Sequence, residues 1–488
     1  MAAASNGGAP AYVPGEVVVG YHAHVDAEAQ ASTARAVGAA APGANTRVLH
    51  VPVGRVRATI AKLRRQPGVA YAAPNPIAHI SGGPSGGATA GAGATKTSAS
   101  APSGSPTGSA WSKEARTSIL PLPDDPGIKN YPGGLAAVQW NFFGPRGVGA
   151  LEAWTNAIVA GAEGGRGVRI AVLDTGVAYR DLGRFKKSPD FANTKFVAPY
   201  DFVENRREAV DRNGHGTHVA GTIAEATNNR IGVSGLAYGA TVMPVRVLDS
   251  QGYGDAATIA KGIRYAARHN AKVINMSLEF STSVRSSEIP DIMSAIRYAN
   301  ELGAVVVGST GNEGEAQVAY PARAALVVSV GATTDQGCLA SFSNDGIGLD
   351  IVAPGGGDNA TLSEDPNCQP NRAGHDIFQM TYAGSVGRFG LPSGYDGTSM
   401  AAPHVSAAAA LVIATKVIGP NPTPAQVECR LKATATQLGI ASPNRIYGWG
   451  LVNAGAATSP AIASPSCLSR SSSVNPSGPT GTTPPAAG

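Results

Sequence analysis

Aromatic residues are scarce in this chain of 488, at 6 %, and charged residues make up only 15 %. Lys and Arg form no dense cluster interleaved with aromatics. The net charge of +5 is mild over this length, so nucleic-acid binding is not indicated. No stretch of about 18 apolar residues occurs, which leaves no membrane span legible from hydropathy. The first residues, MAAASNGGAPAYVPGE, lack the basic start and apolar core of a signal peptide. Secretion with a signal peptide already removed is the expectation, and an intracellular chain is the alternative. Cysteine is limited to Cys338, Cys368, Cys429 and Cys467. None forms a CxxC pair, so a zinc site is not expected. Scattered cysteines in even number fit two disulfides in an oxidising compartment. Their order suggests Cys338–Cys368 and Cys429–Cys467, although four cysteines allow three connectivities. Four reduced, buried thiols are the alternative.

What is abundant is glycine, with 62 residues, and proline, with 35, concentrated in segments that divide the chain. Residues 1–12 are small and polar and read as disordered. Residues 13–80 alternate strand and helix patterns: GEVVVGYH, DAEAQASTARAVGAAA, TRVLHVPV, GRVRATIAKLRRQPG and VAYAAPNPIAHI. That order suggests a small α+β module with little apolar mass. Residues 81–120 read as a Gly/Ser/Ala-rich linker. Residues 121–458 form the main domain and 459–488 a Ser/Pro-rich tail. Within the main domain VRIAVL, TVMPVRVL, KVINMSL, AVVVGS and LVVSVG are short apolar runs without alternation, separated by helical patterns. Such runs predict an α/β fold with a parallel sheet covered on both faces.

Three glycine-marked turns border that sheet. VRIAVLDTGV puts Asp174 at the carboxyl end of a buried strand, where open α/β sheets hold their catalytic groups. DRNGHGTHVAG brings His215 into a helix between Gly214 and Gly216, which permit close approach of another segment. His215 and His218 form HxxH, but the glutamate of HExxH is missing, so a metal reading is weak. GTSMAAPHVSAAAALVI sets Ser399 at the mouth of a long apolar helix. A serine there can be a simple cap. It can also be a nucleophile beside unpaired N–H groups and the positive helix end. Serine needs a base to take its proton, and the base needs an anion to orient it. Asp174, His215 and Ser399 supply those roles in the order Asp, His, Ser, which differs from the Ser, Asp, His order of α/β-hydrolases.

DTG, HGTHVAG and GTSMAAPHV resemble the three signature blocks of subtilisin-like serine proteases, the subtilases, and the resemblance extends over residues 121–457. It implies a subtilisin-like fold and a serine endopeptidase acting through an acyl-enzyme, with no catalytic cofactor. GNEG resembles the oxyanion block, with Asn312 as a donor beside Gly311. INMSL, with Ser277 and Leu278, and Gly252 of QGYG resemble the edges that hold an extended substrate. Glu279 and Phe280 stand where relatives have glycines, and Ser309 and Thr310 where alanines are usual. Glu279, with Glu313, is therefore expected to make the cleft tolerant of basic side chains. TNNRIGV resembles a calcium loop, implying a structural Ca2+ on Asn229 and the carbonyls of Thr227, Ile231 and Val233, with Asp181 as a further ligand. The module at 13–80 resembles the inhibitory propeptide, with YAAPNPIAHI lying in the cleft. Expected partners are protein or peptide substrates and the chain's own propeptide, with the enzyme a monomer. A silent binding or scaffold protein on the same fold is the competing reading.

Overall fold

The computed structural model of the chain describes residues 11–39, 48–82, 120–362, 365 and 368–463. Most of the expected disordered start, linker and tail lies outside these residues, as does Cys467. Cys338 and Cys368 form a disulfide, and Cys429 is also disulfide-bonded.

The N-terminal module has three strands, β1 (Tyr12–Tyr21), β2 (Val48–His50) and β3 (Val69–Ile80), with helices at Ala27–Ala36 and Val56–Leu63. β1 pairs antiparallel with both β2 and β3. Asp26 starts the first helix by accepting the Ala29 N–H at 2.8 Å. Val17, Val19, Leu49, Leu63 and Ala72 make a small core, as the low apolar content led one to expect.

The main domain is built on strands β4 (Arg169–Asp174), β5 (Lys195–Phe196), β6 (Tyr200–Asp201), β7 (Thr241–Arg246), β8 (Tyr253–Asp255), β9 (Val273–Met276), β10 (Leu278–Phe280), β11 (Val305–Ser309), β12 (Val327–Thr333) and β13 (Ile351–Pro354). Seven of them pair in the order β13-β12-β11-β9-β4-β7-β5, all parallel. Alternate residues of β4 explain the unbroken apolar runs. Ile170 and Val172 face one core with helices His215–Ala224 and Thr398–Thr415. Ala171 and Leu173 face a second core with helices Ala256–Arg268 and Pro290–Glu301. Both faces are covered, so neither set of side chains needs to be polar.

Helix Thr398–Thr415 is apolar all round, and it is long enough to cross a membrane, but it is 89 % buried against the sheet and its neighbours. This is the composition of a central core helix. Pro403 lies inside it and has no N–H for the carbonyl of Ser399. Ser277 takes that carbonyl instead, donating its hydroxyl at 2.9 Å. The proline of GTSMAAP thus ties the start of this helix to the end of β9.

The module docks through β3. Residues 77–80 lie antiparallel between β10 and β8, with Ile80 opposite Leu278 and Ala78 opposite Gly254. Side chains add to this: Asn75 donates to Asp255 at 3.0 Å and Tyr12 to Glu288 at 2.9 Å.

Candidate active site

Asp174 ends β4 and is fully buried. Its Oδ1 accepts the Thr175 N–H at 2.7 Å and lies 2.8 Å from Nδ1 of His215. His215 opens its helix after Gly214, whose φ of 115° is in the left-handed region. Gly216 is dictated by close approach, since a Cβ there would collide with the Gly176 carbonyl. His215 Nε2 is buried with no hydrogen-bond partner among the described residues. His218 does not join it. Its Nε2 sits on the Ile377 carbonyl at 2.9 Å, its ring stacks on Tyr395, and burial pushes its pKa down to about 3.

Asp211, four residues before His215, is a positioning group that the sequence reading missed. It is fully buried and accepts five hydrogen bonds. Oδ1 takes the Thr175 hydroxyl and the N–H groups of Asn213 and Gly214; Oδ2 takes the N–H and hydroxyl of Thr217. The Thr175 hydroxyl oxygen accepts the Gly216 N–H at 3.0 Å. One carboxylate therefore locks the turn carrying His215 to the residue after Asp174. Its signal was the DRNG run ahead of the histidine, an acid placed to accept turn N–H groups.

Ser399 is the second residue of its helix. Its N–H donates to the Ser81 carbonyl at 2.9 Å, and its hydroxyl accepts the Ser81 N–H at 2.9 Å and donates to the Ser277 carbonyl at 3.0 Å. The carbonyl oxygen of the Asn312 side chain accepts both the N–H and hydroxyl of Thr398 at 2.9 Å. That fixes the amide, because only its oxygen can accept an N–H. The amide nitrogen and the Ser81 carbonyl oxygen then flank Gly397, where any Cβ would meet both.

The expected substrate edges hold the end of β3. Gly252 accepts the Ile80 N–H at 3.0 Å, and Leu278 and Glu279 pair with Ile80 and His79. Strand alternation separates the departures noted in the sequence. Phe280 does not border the cleft; it is buried in the second core with Leu278. Thr310 also turns away, donating to the Asn344 carbonyl at 3.0 Å, whereas Ser309 faces the Ser81 hydroxyl at 3.0 Å. Glu279 is 1 % exposed and its Oε2 accepts the Asn312 N–H at 3.2 Å, against Gly311. Burial, and then the neighbouring Glu313, hold its carboxyl well above the usual range. The acid expected to face basic side chains is therefore buried beside Asn312 and Glu313, where its charged form is disfavoured.

The calcium-loop residues separate from Asp181. That carboxylate accepts the Lys187 N–H at 2.8 Å and faces Lys186. The acid at the loop is Asp190, which accepts from Asn229 at 2.8 Å and from the Val233 N–H at 3.1 Å. Asp125 joins it, accepting the N–H groups of Asn228 and Asn229 and the Ser234 hydroxyl. Asp190 is fully buried, and that burial pushes its carboxyl up to about 7. Asp190 lies nine residues beyond Asp181 in sequence, in the short turn Pro189–Phe191.

The chain matches the family described as Subtilase family over residues 165–450, and the Fervidolysin N-terminal prodomain over residues 1–75. It is 40 % identical over 294 residues to Subtilisin Savinase of Lederbergia lenta, covering 60 % of this chain and 91 % of that one. A Thermophilic serine proteinase of Bacillus sp. (strain AK1) is 32 % identical over 447 residues, covering 91 % of this chain and 87 % of the relative. Among solved structures, a protease of Pseudoalteromonas arctica PAMC 21717 is similar with a TM-score of 0.53 at 31 % identity, covering 69 % of this chain and 99 % of that chain.

Proposed function

From the premise that this chain belongs to the subtilase family, as a serine endopeptidase made with an N-terminal propeptide, we propose that Asp174, His215 and Ser399 are its catalytic groups. The observations that carry the assignment are the 2.8 Å contact of Asp174 with His215 Nδ1 and the peptide carbonyl of Ser81 held by the Ser399 N–H. His215 Nε2, buried with no partner among the described residues, is the base, and the Ser399 hydroxyl has to leave the Ser277 carbonyl to give it a proton. His215 takes the hydroxyl proton as the oxygen attacks the carbonyl carbon. Asp174 holds the imidazole in the tautomer with a proton on Nδ1 and stabilises the imidazolium. The Ser399 N–H and the Asn312 amide take the charge that develops on the carbonyl oxygen. His215 then gives its proton to the leaving amine, and water hydrolyses the acyl-enzyme. Leu278, Glu279 and Gly252 bind substrate backbone by strand addition, as they hold residues 79 and 80, and Ser277 and Gly311 complete the substrate-binding set beside Ser399 and Thr398.

The oxygen donors at the loop 227–233 fit a hard cation. Asp190 and Asp125 supply carboxylates and Asn229 an amide oxygen, with carbonyls of Thr227, Ile231 and Val233 completing the set. A structural Ca2+ held there would offset the burial of Asp190, whereas Asp181 is tied to Lys186 and Lys187. The disulfides support secretion into an oxidising compartment.

A serine-directed phosphonate tests the catalytic assignment. The processed enzyme gains one adduct mass at Ser399 and loses peptidase activity. Adduct on another serine, or activity retained by Ser399→Ala, refutes it.

A further inference from the structure

β3 stops at Ile80, and the next two residues lie on the proposed catalytic groups. Ser81 gives its carbonyl to the Ser399 N–H and its own N–H to the Ser399 hydroxyl, each at 2.9 Å. Gly82 follows with φ of 120°, where a Cβ would stand 2.5 Å from the Asp396 carbonyl oxygen and 2.7 Å from Gly397 Cα. The bond between them therefore straddles the nucleophile, with a site on the leaving side that excludes a side chain in this conformation.

The Ser81 side chain is fully buried. One wall is the Ser309 hydroxyl, at 3.0 Å. The other is Glu279, which also hydrogen-bonds to Ser81 and lies against Gly311, held by the Asn312 N–H. His79 Nδ1 lies 3.8 Å from its Oε1, and Glu313 behind it is itself tied to Asn344 at 2.5 Å. A large side chain at position 81 would have to expel a buried acid from these bonds. A serine leaves every polar atom paired.

We propose that Glu279 closes this pocket, so that the enzyme selects a small residue, serine foremost, on the acyl side of the bond it cuts, and that Ser81–Gly82 is the bond so cut in its own chain. The inference rests on the catalytic assignment made above. In the step itself the Ser399 oxygen bonds to the Ser81 carbonyl carbon and its proton passes to His215. The Ser81–Gly82 C–N bond breaks, and Gly82 leaves as an amine carrying that proton. Water then adds to the ester, releasing Ser81 as a carboxylic acid and restoring the Ser399 hydroxyl.

Intact mass and N-terminal sequencing of the first fragment pair from the full chain test the bond. The expected pair ends at Ser81 and begins at Gly82, and Ser399→Ala stays whole. A first cut elsewhere, or no cut, in the wild type overturns the inference while leaving the catalytic assignment to the phosphonate test. Cutting by Ser399→Ala overturns the assignment instead. Peptides matched except for Ser, Ala, Phe or Arg before a glycine test the pocket. The processed wild type is expected to favour Ser and Ala over Phe and Arg by about 100-fold in kcat/KM. Glu279→Gly is expected to raise Phe turnover at least about tenfold. Equal turnover of Ser and Phe by the wild type refutes the closed pocket, whether or not the variant folds. Unchanged selectivity in a folded Glu279→Gly removes Glu279 as its cause.

Discussion

Asp211→Asn is the perturbation that best isolates how this site is held. The substitution preserves shape and replaces one acceptor oxygen by an NH2 donor. In the better orientation the remaining oxygen keeps the Thr175, Asn213 and Gly214 bonds. The NH2 then faces the Thr217 N–H, formerly bonded at 2.9 Å, and the Thr217 hydroxyl. The hydroxyl can turn to accept; the buried N–H cannot. Leaving it unpaired costs about 1–3 kcal/mol, and weakening the three bonds that were to a charge adds about 2 kcal/mol. The expected loss is about 3–5 kcal/mol, a fall in Tm of about 4–7 °C for a domain of this size by calorimetry. The turn that loosens carries His215, so kcat should fall at least about tenfold. KM should stay within about twofold, because the edges at Ser277, Glu279 and Gly252 are untouched. A Tm within about 1 °C of wild type, which corresponds to less than about 1 kcal/mol, would refute the tether. So would a loss confined to KM.

Asn312→Ala should lower kcat by about 10²–10³ with KM little changed, the size reported for the equivalent donor in subtilisin. A rise in KM alone would show that the amide binds the ground state. Chelating Ca2+ should lower Tm, and restoring it at a hundredfold excess over Kd should return about 2.7 kcal/mol. Asp190→Asn should shrink that difference and Asp181→Asn should leave it intact, the reverse pattern favouring the original sequence assignment. The Glu279 carboxyl is raised in the folded state, so the folded chain holds its proton more tightly than the unfolded chain. Its contribution is full below the unfolded value of about 4.5 and is lost as pH rises through the folded value. In a Ser399→Ala background, denaturant melts should show stability falling from mildly acidic to alkaline pH more steeply than with Glu279→Gln added. Parallel profiles would refute the buried acid.

The parts of this site that can be read from sequence share a property: each is marked by the local chain. Asp174 ends a buried strand, His215 sits between two glycines, and Ser399 opens an apolar helix as its second residue. Strand alternation also carried usable information. It puts Leu278 and Phe280 on one face and Glu279 on the other, which already separates the core residue from the cleft residue. The structure sets Asp181 on Lys186 and Lys187 and brings Asp190 to Asn229, a placement with no local mark. Which acid reaches Asn229 is set by the path of the chain after Gly176, and spacing alone does not encode that path.

Ser81 was beyond reach for a deeper reason. By composition it opens a Gly/Ser-rich stretch, and the boundary of the module falls naturally at Ile80. What seats it on Ser399 is one N–H and one C=O, groups that nearly every residue carries. Recognition through backbone leaves no trace in side-chain identity, so a bond bound this way is legible only through whatever filters its side chains. Here those filters are Glu279 against the residue before the bond and the Asp396–Gly397 backbone against the residue after it. A small residue followed by glycine is common in the segment after Ile80, and only the register set by Ile80 opposite Leu278 singles out one such pair. Moving that register by one residue would take Ser81 off the nucleophile and turn the side chains of β3 to the wrong face. The specificity of self-cleavage therefore resides as much in the β3 pairing as in the pocket.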